Sequence, residues 1–168
     1  VSGGGWGVGD FDVAVEQALT LAEVGLVVCL CGRNEGLRDQ LRRQFESDGR
    51  VRVEGFTDRM RNWLTAADVL VHSTGGLTVL EAVMCGCPAI SFGWGRGHIR
   101  RQNEAFRRFG LADVASSAPE LVEALRRALA KPKRPDRSFS SLPSAASIVL
   151  SQASRDGQSR TRADAAEG

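Results

Sequence analysis

Residues Asp68 to Pro88 read DVLVHSTGGLTVLEAVMCGCP, and their order decides the fold. Val69, Leu70 and Val71 make a short apolar run, as in a strand covered on both faces. The run breaks at Ser73-Thr74-Gly75-Gly76. Leu77, Val79, Leu80, Ala82, Val83 and Met84 then follow, with Glu81 among them, which predicts a helix of about ten residues. Gly86 and Pro88 end it. A strand that turns through glycines into a helix leaves the first helical amides without internal partners, at the positive end of the helix dipole. Gly75 and Gly76 have no side chain to hold an anion away from those amides. Glu81 lies about one turn further on. A carboxylate there repels phosphate but accepts hydrogen bonds from paired hydroxyls. Phosphate at one end and a diol nearby describe a nucleotide. The apolar neighbours of Glu81 also predict a helix buried over much of its surface, where a carboxylate needs a partner.

Outward from this stretch, the same alternation repeats. Towards the amino terminus, Leu26-Val27-Val28-Cys29-Leu30 is a continuous apolar run, the pattern of a parallel strand. Leu37, Leu41 and Phe45 recur every four residues, with Arg38, Arg42 and Arg43 outward, which predicts an amphipathic helix. Val51 and Val53 alternate in a short strand. A helix containing Trp63 and Leu64 follows, with Asp58 placed to cap it. Towards the carboxyl terminus, Ala89-Ile90-Ser91-Phe92 reads as another buried strand and Ile99 to Gly110 as a helix. Ala112-Asp113-Val114 reads as an edge strand, and a helix opens at Pro119. Strand and helix in alternation predict an α/β fold with a doubly wound parallel sheet and right-handed crossovers. The expected domain covers residues 1–150, with a disordered tail over 151–168, where apolar residues thin out.

At the start, Val1-Ser2 runs straight into Gly3-Gly4-Gly5-Trp6-Gly7-Val8-Gly9-Asp10, and a good helix follows from Phe11. Such a turn normally follows a strand of about five residues. The expectation is a truncated first strand and a sequence that begins inside a larger protein. The dinucleotide fingerprint fails: counting from Gly3 and Gly5, its third glycine falls on Val8. The next strand ends in Cys31-Gly32, with no acidic residue to hold a ribose. A nicotinamide enzyme is disfavoured.

Ser73-Thr74-Gly75-Gly76-Leu77-Thr78-Val79-Leu80-Glu81 resembles the donor-binding segment of MurG and the diacylglycerol sugar transferases. These are two-domain GT-B glycosyltransferases that use UDP-sugars. The resemblance covers about residues 1–130 and implies the Rossmann-like, C-terminal half of a GT-B fold. It places Gly4, Gly5, Trp6 and Gly7 near the donor diphosphate and sugar. Phe56-Thr57-Asp58-Arg59-Met60 is similar to the family's uracil loop, with Phe56 and Met60 as apolar walls and Thr57 between them. Thr74 and Gly75 lie in the donor turn. The amides of Gly76, Leu77 and Thr78 hold the diphosphate, helped by the Thr78 hydroxyl, and Glu81 takes the ribose hydroxyls. His98, Gln102 and Asn103 match the loop that meets the donor sugar; which amide does so stays open, because a one-residue slip is possible. An amide suits a neutral sugar, donating to one hydroxyl and accepting from another. Trp94 covers the sugar or simply packs.

The implied function is the donor-binding half of an inverting UDP-sugar hexosyltransferase, using UDP-GlcNAc or another UDP-hexose and a lipid or lipid-linked acceptor. Helix dipole and amides stabilise the departing diphosphate, so neither a metal nor a cofactor is called for; the UDP-sugar is a co-substrate. The catalytic base belongs to the other half, and no catalytic residue is assigned here. Implied partners are the UDP-sugar, an N-terminal acceptor-binding domain or subunit, and the membrane surface, with no nucleic acid. Two alternatives stay open: a nucleotide-sugar 2-epimerase-type domain, and the small subunit of a two-subunit transferase. A non-catalytic nucleotide-binding module is a third.

Composition is compatible with this. The chain has 168 residues, 42% hydrophobic and 25% charged, enough for a core. No apolar run reaches membrane-spanning length, and no signal peptide is visible, which predicts a cytoplasmic protein at or near the inner face of the membrane. Net charge is only +2, but residues 96–137 hold 11 basic and 5 acidic residues. That segment either faces anionic lipid or is a set of solvated helix faces. Cys29-x-Cys31 and Cys85-x-Cys87 lack the usual zinc spacing and read as reduced core thiols.

Overall fold

A computed structural model describes residues 1–73, 76–93, 98–132, 134 and 146–152, without the side chain of His98. The expectations for Thr74, Gly75, Trp94 and the tail from residue 153 lie outside the described residues.

Among the described residues of Val1–Asp136, five short strands alternate with six α-helices. They are α1 (Phe11–Leu19), β1 (Val27–Leu30), α2 (Glu35–Gln44), β2 (Val51–Glu54), α3 (Met60–Ala66), β3 (Leu70–His72), α4 (Gly76–Cys85), β4 (Ala89–Phe92), α5 (His98–Phe109), β5 (Asp113–Ala115) and α6 (Ala118–Leu129). The fold is α/β with parallel strands flanked by helices, as the alternation predicts. β1 pairs with β2, and β3-β4-β5 pair in that order, every pair parallel.

Ser2 joins the two sets. It bridges Leu30 on one side and His72 on the other, both in parallel sense. Its N–H donates to the Val71 carbonyl (2.8 Å) and its carbonyl accepts from Ser73 (3.3 Å); the Leu30 N–H donates to the Val1 carbonyl (2.9 Å). Val1–Ser2 therefore occupies the central strand position, and the sheet runs β2-β1-(Val1–Ser2)-β3-β4-β5. With Val1–Ser2 counted first, this is the doubly wound order 3-2-1-4-5-6. Below Val1 a cavity of about 420 Å³ lies between β1 and β3, lined by Val27, Val28, Trp63, Leu64, Val69 and Leu125 among others. The Val1 nitrogen donates to Val28 O at its upper end (2.7 Å).

Each face of the sheet carries its own apolar layer. Phe11, Val15, Leu41, Leu121 and Leu125 from α1, α2 and α6 pack on one face with Cys29, Ile90 and Phe92. Leu64, Val79, Ala82 and Phe106 from α3, α4 and α5 pack on the other with Leu70 and Ala89. Strands β3 and β4 are buried at every residue, because helices cover both their faces. Burying one such Leu, Ile or Phe side chain contributes about 1.5–3 kcal/mol. Cys29, Cys31 and Cys87 are buried and Cys85 is half-buried, all as free thiols. Burial pushes the Cys31 thiol up to about 11.

The Asp58 cap is corrected. The residue before α3 is Arg59, with no side-chain cap on the helix. The hydroxyl of Thr57 accepts the Arg59 N–H instead (3.0 Å), while Asp58 points to solvent. A hydroxyl two residues back closes the turn as well as a carboxylate does. Elsewhere caps form as the residue types dictate: Asn34 accepts from Leu37 at the start of α2 (2.9 Å), and Ser117 from Glu120 at the start of α6 (3.4 Å).

Val1–Asp136 is one compact unit, and the remainder of the chain is a second. In the second, residues 146–152 form a short helix with Ile148, Val149 and Leu150 exposed. No helix among the described residues is long and apolar enough to cross a membrane.

Candidate functional site: a crevice at the carboxyl ends of the strands

In a doubly wound sheet the strand order reverses on either side of the first strand, and the loops there part to leave a crevice. Here the reversal falls between Val1–Ser2 and β3. One lip is the Gly3–Gly9 turn; the other is the β3–α4 turn.

The glycine turn is fixed by backbone geometry. Gly4–Trp6 forms a single 3-10 turn closed by Gly7 in the left-handed region. A Cβ at Gly7 would overlap the carbonyl oxygen of Cys31, and one at Gly9 would overlap the Ser73 hydroxyl. The turn is then tied to the β1–α2 loop: Arg33 N–H donates to Gly5 O (2.9 Å) and Asn34 Nδ2 to Gly7 O (3.3 Å). Asn34 thus caps α2 and holds the turn with one side chain. Trp6 is exposed above it.

A cavity of about 170 Å³ brings together Gly4, Gly5, Phe56, Thr57, Met60 and Thr78 from three separate stretches of the chain. Ser2, Leu30, Gly32 and Gly55 complete its walls, and the reading of motifs missed these four. Their signal was positional: Gly32 lies two residues past the end of β1 and Gly55 directly follows β2, at the strand ends where ligands bind in this fold. Phe56 is exposed, with the Arg33 guanidinium 4.7 Å from its ring centroid. The Thr57 hydroxyl also accepts the indole N–H of Trp63 (3.3 Å), so it shapes the loop.

Across the crevice, α4 starts at Gly76. Leu77 is exposed, Thr78 half-buried, and Glu81 exposed. This corrects one expectation: α4 fully buries only Val79 and Ala82, and Glu81 stands on its open side. The carboxylate makes no ion pair among the described residues and is accessible from solvent. Its apolar neighbours misled because a helix only ten residues long on the edge of a crevice buries one stripe and leaves the rest to solvent.

The two amides of α5 separate. Gln102 Nε2 lies 3.4 Å from where a Cβ at Gly76 would stand, at the mouth of the α4 turn. Asn103 is buried, and its side-chain oxygen accepts the Ser91 hydroxyl (2.7 Å) on β4. Gln102 is thus the amide next to the turn, and Asn103 ties α5 to the sheet. His98 opens α5, and its side chain lies outside the described residues. Among those residues no group of three or more His, Cys, Asp or Glu could hold a metal ion.

The sequence profile of the family described as glycosyl transferases group 1 matches residues 7–131. Curated relatives include the processive diacylglycerol beta-glucosyltransferase of Staphylococcus carnosus (strain TM300), 29% identical over 124 residues, and that of Staphylococcus saprophyticus, 28% identical over the same length. Each match covers 73% of this chain and 32% of the relative, so the chain spans about a third of the length of these relatives. Solved structures with a similar fold include WaaG, a glycosyltransferase involved in lipopolysaccharide biosynthesis (TM-score 0.56, 20% identity, covering 75% of this chain and 36% of that one). Another is the glycotransferase of kitacinnamycin (TM-score 0.56, 17% identity, 78% and 34%). At such identities the likeness is one of fold, the GT-B architecture.

Proposed function

The chain belongs to the group 1 glycosyl transferases, and on that premise we propose that it is the donor-binding, C-terminal half of an inverting UDP-sugar hexosyltransferase. The carrying observation is the crevice between Gly4–Gly5 and the start of α4, with Thr78 on one wall, Phe56 and Met60 on another, and an accessible carboxylate at Glu81. In this reading the small cavity takes the uracil between Phe56, Met60 and the backbone of Gly32 and Gly55. The first amides of α4 take the diphosphate, where the helix dipole adds to them. Glu81 accepts from both ribose hydroxyls, and Gln102 reaches the sugar. The exposure of Glu81 suits a carboxylate whose partner is a ligand.

The chemistry follows from that placement. An acceptor hydroxyl displaces the UDP at the anomeric carbon with inversion, and the diphosphate leaves with two electrons and its charge held by amides already in place. The base that removes the acceptor proton sits on the acceptor half. Trp6, Val8, Phe56 and Leu77 are exposed apolar residues at or near the crevice mouth, a face suited to that half. The relatives are named for glucosyl transfer to diacylglycerol, which supports a membrane-lipid acceptor for this protein and brings the crevice to a membrane surface.

Calorimetric titration with UDP, UDP-glucose, UDP-GlcNAc and NAD tests the reading. UDP binds, NAD does not, and Glu81→Ala weakens UDP by about 1–3 kcal/mol through loss of a charged hydrogen bond. The preferred UDP-sugar names the donor. Failure of every UDP compound to bind, both to this chain and to the chain joined to its acceptor half, sinks the proposal.

A further inference from the structure

We propose that a second cleft, at the opposite ends of the strands, binds a phosphate group carried on an apolar body. It lies where β4 and β5 begin and α4, α5 and α6 end, and encloses about 500 Å³. Its floor is apolar, made by Val83, Leu111, Ala112, Val114 and Ala128. Its rim carries Arg107, Arg127, Lys131 and Arg134 against a single carboxylate, Asp113.

That carboxylate is already engaged. Asp113 Oδ2 accepts from Arg127 Nη2 at 3.4 Å. Arg107, Lys131 and Arg134 make no ion pair among the described residues. Cations at a helix carboxyl terminus complement its dipole, which accounts for Arg107 in the last turn of α5 and Arg127 in the last turn of α6. The same effect extends to Lys131, just past the Ala130 cap, but not to Arg134, which lies further beyond the end of α6. The structural need is met, and cationic charge remains around a concave surface.

The shape narrows the ligand. Several cations around one opening favour a group that carries more than one negative charge and several acceptor oxygens, which phosphate does and carboxylate does not. A bare phosphate would leave the floor unused. An amphiphile with a phosphate head and a short apolar portion uses both parts. The basic bias of residues 96–137, split in the sequence between lipid contact and solvated helix faces, thereby acquires a specific place. The cleft is separate from the donor crevice and does not depend on its assignment.

The whole chain is titrated, with amide chemical shifts followed by NMR, against dihexanoyl phosphatidic acid below its micelle concentration and against inorganic phosphate. The expected result is shifts at Gly110–Val114 and Arg127–Lys131, with the amphiphile bound at least about tenfold more tightly than phosphate. Lys131→Glu combined with Arg134→Glu weakens it by about tenfold or more, because both residues are exposed and charge reversal leaves the core alone. Arg107→Gln weakens it by less, and Arg43→Glu on α2 leaves it unchanged. UDP affinity is unaltered in all three variants. Shifts confined to other residues, equal binding of inorganic phosphate, or indifference to the double reversal would each overturn the proposal.

Discussion

Gly7 shows how much a single residue decides here. Its φ is 57°, and a Cβ would overlap the Cys31 carbonyl oxygen. Gly7→Ala therefore meets both a left-handed backbone penalty and a clash with main chain that cannot swing aside. Urea unfolding should show a loss of about 2 kcal/mol or more. Gly5 is the contrast: nothing lies within 4 Å of a Cβ there, and its φ is not positive. Gly5→Ala should leave stability within about 0.5 kcal/mol. The sequence displayed a glycine turn. It could not say which glycines the fold demands, because that depends on Cys31 and Ser73, which arrive from distant strands. Gly5 is open to solvent, as a backbone that a ligand must approach would be. Glu81 teaches the complementary lesson: its position was legible and its exposure was not.

At the scale of the element, α5 divides its polar residues between structure and site. Asn103 and Gln102 are adjacent in sequence and both half-amide, half-chain, yet they point about 100° apart on a helix. Asn103→Ala strands the buried Ser91 hydroxyl, so it should cost about 1–3 kcal/mol, read as a fall of several degrees in Tm, with UDP affinity unchanged. Gln102→Ala should leave Tm unchanged and weaken the UDP-sugar relative to UDP itself. If Asn103→Ala instead acts on the sugar alone, the division is reversed. The strands and helices themselves were legible because apolar periodicity reports burial directly: β3, β4 and α4 sit where their apolar runs put them. Caps were less so. Asp58, Thr57 and Arg59 crowd the start of α3, and any one-letter reading offers several side chains for one amide; the hydroxyl won.

For the whole molecule, the sheet order was the least legible feature. A parallel doubly wound sheet follows from alternation, but the order needs to know what lies between β1 and β3, and that place is held by Val1–Ser2. A two-residue stretch has no periodicity to read.

The joint at Ser2 has one more consequence, mechanical this time. Ser2 bridges Leu30 on β1 and His72 on β3, and the Gly3–Gly9 turn leaves the sheet from that point, so one lip of the crevice is anchored to both sets of strands. The other lip, the start of α4, follows β3. A ligand that spans Gly4–Gly5 on one side and the start of α4 on the other would act as a rivet between the two lips, so occupancy would limit how far the crevice can open.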